Sequence, residues 1–487
     1  MGVEAGIREL VERALDAATT TGATYADARY LGEEWEAIDV QDDRVQGVDR
    51  GVTAGIGVRV LVDGAWGFAG SARLDPAAIE RTAALAVEVA RSSLAAKGPP
   101  VRLAAEPART ATWTTAIEED PFAVALDEKI AMLLDASGRM KMVQGLGIAE
   151  ASMDLWRRTS YLATSEGSRI DQTITQSGAG IRALAVGERE VQQRSYPNSF
   201  RGHFACMGYE HIRAMDLPGN AQRIAEEALT LLKAPELPSS ETTLILDAPQ
   251  LALQVHESIG HPIELDRVLG MEAAYAGTSF LTPPDRGVLR YGSPQVNITA
   301  DATTPGALGS FGFDDEGVEA QRVAIITDGV FRQFLSSRDT APEIGEARSN
   351  GTMRASGWDV IPLIRMTNVN LEPGDSSLEQ MISETDDGVF MSTNQSWSID
   401  DKRVNFQFGC EIAWEIRKGK RKRIFRNPNY AGKTVDFWSS CDAVGGRGEW
   451  AVWGTPNCGK GQPGQTARVA HGTAPARFRK VNVGVRG

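Results

Sequence analysis

The chain is poor in the residues that build disulfide scaffolds, membrane spans and nucleic-acid surfaces. Its four cysteines, Cys206, Cys410, Cys441 and Cys458, are sparse and far apart in 487 residues. That excludes a disulfide framework and fits a reducing cytoplasm. No uninterrupted apolar run approaches the roughly 20 residues of a membrane span. The N-terminus, MGVEAGIRELVERALDAA, has no basic start followed by an apolar stretch, so no export signal is expected. Lys and Arg number 51 against 64 Asp and Glu, a net charge of -13. A nucleic-acid or membrane-surface binder would carry a basic footprint, so neither partner is expected. Histidine is also scarce, at five: His203, His211, His256, His261 and His471.

What is present is the composition of a folded protein, 42% hydrophobic and 24% charged. Such a length exceeds what one core usually fills. The N-terminal segment carries Ile7, Leu10, Val11, Ala14 and Leu15 on one helical side. Ile56, Val58, Val60 and Val62 alternate before Asp63-Gly64, which predicts a β-hairpin continuing through Trp66 and Phe68. Asp75-Pro76 opens a helix striped by Ile79, Ala83, Ala86 and Ala90. Residues 97–120 have no sustained period and read as a surface crossing, followed by a helix around Phe122 to Leu134 and then strands to about 195. GNAQRIAEEALTLLKAP is a further helix, and residues 234–241 are the best boundary. Beyond it, short strands separated by Gly, Pro, Asn and Asp dominate. The expected fold is therefore α+β in two domains: residues 1–235, helices packed on antiparallel sheet, and residues 236–487, a β-rich domain carrying the chemistry.

That chemistry centres on VHESIGHP, residues 255–262. Asp247-Ala248-Pro249 starts a helix, and Leu251, Ala252, Val255 and Ile259 give it a buried face. Zinc hydrolases place paired imidazoles one turn apart, with two residues between the Glu and the second His. Here there are three. On a regular helix His256 and His261 would diverge by about 140°. Gly260 relaxes the backbone and Pro262 cannot donate to the preceding turn, so a π-type turn with i to i+5 bonds becomes the expected solution. A catalytic zinc needs a third protein ligand. Glu264, Asp266 and Glu272 follow closely, and Cys458 lies in the Gly- and Pro-rich stretch WGTPNCGKGQPGQ. Read as a loop thiol beside Lys460, Cys458 would favour its thiolate, the form that binds zinc. Cys410, in strand-like FGCEIAWEI, would be inert.

HESIGH, then DDEG at Asp314 to Gly317, and the closing NCGKGQPGQ together resemble the TldD/PmbA family of cytoplasmic metalloproteases, and its TldD-type, metal-bearing members in particular. GVRVLVDGAWGFAGSA resembles the family's N-terminal hairpin. The resemblance implies that His256, His261 and Cys458 bind zinc and that Glu257 is the general acid/base. It implies a peptidase for unfolded or peptide substrates, dimeric around an enclosed cavity, paired with itself or with a zinc-free homologue. The family commonly has Gly after the second His, where this chain has Pro262, and its acidic pattern survives as Glu264 and Asp266.

Other features read as ordinary structure. The basic run EIRKGKRKRIFR, residues 415–426, follows alternating Ile412, Trp414 and Ile416 and is expected to be a hairpin with a solvated turn. Trp66 and Trp414 read as core or cross-strand residues, and His203, His211 and His471 as surface or satisfied core histidines. DDEG could be a site or a β-turn. The rival to a peptidase is a non-catalytic peptide-binding partner with a structural metal, which would call for four protein ligands. A cysteine hydrolase built on Cys458 and a His is the third reading.

Overall fold

The computed structural model describes residues 2–96 and 98–485. Helix α1 (Ala5–Thr20) buries Val11, Ala14, Leu15 and Ala18, the stripe that the sequence carries. Strands β1 (Tyr25–Gln41), β2 (Arg44–Val62) and β3 (Ala65–Ser71) pair antiparallel. The expected hairpin is there, but it is the tail of a much longer one. Gly51 and Gly55 hide the first part of β2 from propensity, because each lies under an indole: a Cβ would come within 2.1 Å of Trp35 or 2.2 Å of Trp358.

Asp75 caps α2 (Pro76–Ser93), its carboxylate accepting from the Ala78 amide at 2.8 Å. The stretch read as a surface crossing contains β4 (Thr110–Thr114), which joins the sheet parallel to β6; Lys97 lies outside the described residues. Short polar strands at a sheet edge lack the apolar alternation that would reveal them. Helix α3 covers Leu126–Lys141, starting later than expected. Strands β5 (Ile148–Thr164), β6 (Arg169–Val186), β7 (Val191–Tyr196) and β8 (His203–Ala205) complete an eight-stranded sheet ordered β3-β2-β1-β5-β6-β4, with β7 and β8 also on β6. Helices α1 and α2 pack on the valines of β2, while α3 and α5 (Leu217–Lys233) pack on Met153 and Ile181. Short α4 (Tyr209–Ala214) precedes α5.

After β9 (Ser240–Leu246) comes α6 (Ala248–Val255), capped by Asp247. Short strands between Ile298 and Leu371 form small separate sheets, and the strands beyond them are β10 (Asp387–Ile399), β11 (Asn405–Arg417), β12 (Lys420–Phe425), β13 (Asn429–Lys433), β14 (Cys441–Val444), β15 (Ala451–Lys460), β16 (Gln465–Thr473) and β17 (Ala476–Val483). They form a seven-stranded sheet ordered β10-β9-β17-β13-β11-β12 with β14 on β17, and because β10 also pairs with β11 the sheet closes on itself. Closure leaves only the short strands β12 and β14 as edges and surrounds α6 with a single large apolar cluster. Strands β15 and β16 stand apart as a two-stranded ribbon. The α+β class and the strand-rich C-terminal part are as expected from the sequence. No described helix is long and apolar enough to cross a membrane.

The basic run is the β11–β12 hairpin, turning at Lys418-Gly419. Trp414 stacks on Phe390, and Trp66 packs against Tyr25 and Arg59. DDEG is a turn with Gly317 at φ 78°. Asp314 accepts from the amides of Glu316, Val318 and Met353 at 2.9 to 3.0 Å, and Glu316 accepts from Arg59 at 3.1 Å and from the Arg338 amide at 2.7 Å. Asp314 thus fixes the turn itself, and Glu316 joins it to Arg59 of the N-terminal sheet.

Candidate metal centre

The π-type turn is present. Residues His256–Gly260 form it directly after α6, and the His261 amide donates to the His256 carbonyl at 3.2 Å, an i+5 to i bond. Widening the turn frees backbone groups, and the chain satisfies them. The Tyr291 hydroxyl donates to the Ser258 backbone carbonyl, while the Ser258 side chain accepts from the Trp438 indole at 2.9 Å. Gly260 serves differently from the sequence expectation. Its neighbours His256 and His261 keep helical backbone, and a Cβ at Gly260 would lie 2.0 Å from Met366 Sδ, so the residue is small to admit that buried side chain.

The turn brings both imidazoles to one place. The rings of His256 and His261 lie 4.9 Å apart and nearly perpendicular. Cys458 Sγ reaches 3.8 Å from His261 Nε2, and the donor atoms of His256, His261 and Cys458 all lie within 4.8 Å of one another. All three residues are buried.

Cys458 arrives in a way the sequence hides. It sits on strand β15, opposite Ala467 of β16, and not in a loop. A register shift between Thr455 and Cys458 interrupts the ladder there, and such irregularities re-aim side chains. Burial pushes the thiol up, but His261 and Arg365 outweigh it and the net shift is downward, toward thiolate. Lys460 is not the cause, since it is itself buried between Asp266 at 2.7 Å and Glu264 at 3.3 Å. Of the Gly and Pro residues around it, Gly461, Pro463 and Gly464 belong to the turn that follows, and Gly454, Pro456 and Gly459 lie in β15 itself, near the register shift.

The tautomers follow from the outer contacts. His471 Nδ1 lies 2.9 Å from the Val369 carbonyl, so it carries the proton, and His471 Nε2 is then an acceptor. His256 Nδ1, 2.8 Å from that Nε2, must donate, which leaves His256 Nε2 as a lone pair. His261 Nδ1 likewise donates to Glu264 at 3.0 Å, leaving His261 Nε2 free. Burial lowers the basicity of all three imidazoles, so the neutral forms dominate. Two imidazole lone pairs and a thiolate-leaning sulfur in one pocket are the donor set a tetrahedral zinc site uses.

The acidic residues that competed for the third ligand position are otherwise engaged. Glu264 orients His261, Asp266 holds Lys460, and Glu272 pairs with Arg267 at 2.8 Å. Glu257, within the turn, is ion-paired to Arg403 and is nearly buried. His471 and Arg403 were not legible as site residues. His471 is a satisfied core histidine as expected, but its partner is His256. Arg403 comes from the β10–β11 connection at φ 65°, and nothing in the local sequence marks it. His203 and His211 lie apart from this centre, packed on each other, with His203 against Trp453.

A cavity of about 310 Å³ lies between the N-terminal sheet and the ribbon, lined among others by Arg158, Arg354, Pro456, Ala467 and Arg468. A larger one of about 580 Å³ shares Trp156 and Pro456 with it. Both reach the ribbon close to Cys458.

Family models for the PmbA/TldA metallopeptidase match three segments of the chain: domain 1 at residues 26–90, the central domain at 119–234 and the C-terminal domain at 239–485. The chain belongs to the PmbA/TldD metallopeptidase family. A metalloprotease of Methanocaldococcus jannaschii, MJ0996, is 30% identical over 92% of this chain and 94% of its own. A protein of Saccharolobus solfataricus named zinc metalloprotease TldD homolog is 22% identical over 95% of this chain and 97% of its own. The fold is shared with TM0727 of Thermotoga maritima, at 18% identity and a TM-score of 0.76, over 98% of this chain and 99% of that one. TldE of Thermococcus kodakarensis has the same fold, at 16% identity and a TM-score of 0.71, over 97% and 99%. A metallopeptidase-family role follows from this membership.

Proposed function

We propose that this family member is a zinc-dependent peptidase in which His256, His261 and Cys458 hold the metal and Glu257 is the general base. The observation that carries the reading is the convergence of those three donors, each histidine with its Nδ1 proton already given to an inner partner, beside a carboxylate that is not among them. A structural zinc would be expected to have four protein ligands. Among the described residues only three such donors converge, which favours catalysis over a purely structural metal.

When bound there, Zn²⁺ supplies Lewis acidity, making water a nucleophile near neutral pH and polarising a peptide carbonyl. The protein residues do the rest. His471 and Glu264 keep the two imidazoles turned with Nε2 toward the pocket. Arg403 holds the Glu257 carboxylate in one orientation. Glu257 accepts the proton of the attacking water and returns it to the nitrogen of the leaving amine, so no acyl-enzyme is required. The cavities beside the ribbon offer room for an extended segment, which supports unfolded peptide as the substrate class. The family resemblance further supports a cytoplasmic dimer, with itself or with a zinc-free homologue; activity from a demonstrably monomeric preparation would remove that part.

The test is cleavage of an unfolded polypeptide with and without chelator, followed by zinc add-back, in wild type and Glu257→Gln. Chelation should abolish cleavage and zinc restore it. Glu257→Gln should keep the metal and the fold and lose about 10² to 10⁴-fold in turnover, the usual contribution of general-base catalysis. Near-normal turnover in that variant rejects the role of Glu257.

A further inference from the structure

The described residues contain a second histidine pair, on elements that the proposed reaction does not use. His203 is on β8, His211 is on α4, and Trp453 of the β15–β16 ribbon packs against His203, ring centroids 5.2 Å apart. The rings of His203 and His211 lie 4.8 Å apart at 73°, against 4.9 Å and 89° for His256 and His261. His256 and His471 have the same spacing, 4.9 Å, but are joined by a hydrogen bond between ring nitrogens. His203 and His211 are not. His203 Nδ1, His211 Nε2 and Trp453 Nε1 are all buried without a hydrogen-bond partner.

Buried polar atoms rarely stay unpaired, and three together indicate an occupant. A neutral imidazole carries one N–H and one lone pair, so each of these rings can present a lone pair to an occupant. Burial and the neighbouring His211 push His203 down to about 3, so it too is neutral, and burial lowers His211. Two neutral imidazoles at ligand-pair spacing suit a Lewis acid.

We propose that His203 and His211 form an accessory site for a divalent transition-metal ion of the imidazole-preferring kind, Zn²⁺, Ni²⁺ or Cu²⁺, bound through His203 Nδ1 and His211 Nε2. Water or an anion completes the shell, and the Trp453 indole N–H donates to it. One occupant then satisfies all three orphaned atoms. The ion would tie the edge of the eight-stranded sheet to the ribbon that carries Cys458, because β8 and α4 belong to the first and Trp453 to the second.

Equilibrium dialysis of the full chain against Zn²⁺ tests this. Wild type should take up two equivalents, the second about 100-fold or more weaker, having one ligand fewer and no thiolate. His211→Phe should lose the weaker equivalent alone, and Cys458→Ser the tighter one alone. Should His211→Phe not fold, Cu²⁺ added to zinc-loaded wild type should quench part of the tryptophan fluorescence, and that part should vanish in Trp453→Phe. A single equivalent in wild type, or two in folded His211→Phe, or no quenching assignable to Trp453, overturns the site and leaves the pair to bound water.

Discussion

The two halves of the candidate metal centre are encoded at opposite ranges. The turn that carries His256, Glu257 and His261 is written within eight consecutive residues, where one extra residue and a following proline favour a π-type bond pattern and Gly260 leaves room for Met366. The ribbon of β15 and β16 supplies Cys458 and His471 from some 200 residues away, and neither is marked by its neighbours. A locally encoded site half has its geometry as soon as its helix forms. The distant half has it only when the closed sheet and the ribbon are both assembled.

That contrast can be broken from the ribbon side. Cys458→Ser exchanges a thiolate-leaning sulfur for a hydroxyl that stays protonated and binds zinc poorly. Metal affinity should fall by more than about 100-fold, since loss of an outer partner alone costs about 10- to 100-fold. Zinc content and peptide cleavage should fall together while circular dichroism is unchanged. Unaltered zinc content would instead return Glu264, Asp266 and Glu272 as ligand candidates, and the same assay on Cys206, Cys410 and Cys441 variants should show no loss.

His471→Phe removes only the acceptor of His256 Nδ1, so the smaller loss, about 10- to 100-fold in metal affinity, is expected. Competition with a chromogenic chelator measures it. An affinity equal to wild type would mean that the turn alone orients His256, and the comparison between the two halves would collapse.

The smallest effect concerns how the ribbon is docked. Glu33 of β1 accepts from Arg468 of β16 at 3.0 Å and pairs with Arg158 at 3.2 Å. Burial raises the carboxyl, but the two guanidinium groups overcome it and hold it down at about 2, against an ordinary 4.5. A carboxylate depressed in the folded state adds stability above its unfolded value, and that contribution is lost as pH falls from about 4.5 to about 2. Up to about 3 kcal/mol is involved at neutral pH, since each tenfold change in proton affinity is worth about 1.4 kcal/mol. The Tm of Glu33→Gln should therefore lie below wild type at pH 7, with the gap narrowing as both are measured toward pH 3. A gap independent of pH would remove the ion pair as its cause.

Much of the fold was legible because it rests on local signals. Asp75 and Asp247 announce helix starts, and the stripes of α1, α2 and α5 are buried as their period requires. Strand β4 and the first part of β2 were not, because polar edge residues and indole-covered glycines carry no apolar alternation. At the candidate centre the expected ligands His256, His261 and Cys458 converge, but the local setting expected for Cys458 is corrected. Its Gly- and Pro-rich surroundings suggested a loop activated by Lys460, whereas it lies on a strand, tuned by His261 and Arg365.

By itself the sequence determined that residues 248–262 form a helix ending in a wide turn with two imidazoles on one side. Backbone hydrogen bonding acts over a few residues, so a short segment contains everything that decides it. Only the tertiary structure decided that His471 rather than a nearby carboxylate would hold His256, that Arg403 would face Glu257, and that Lys460 would pair inward. Those partners meet through strand pairing and sheet closure across long stretches of chain, where the deciding free energy is the burial of a shared core and not the preference of any one residue.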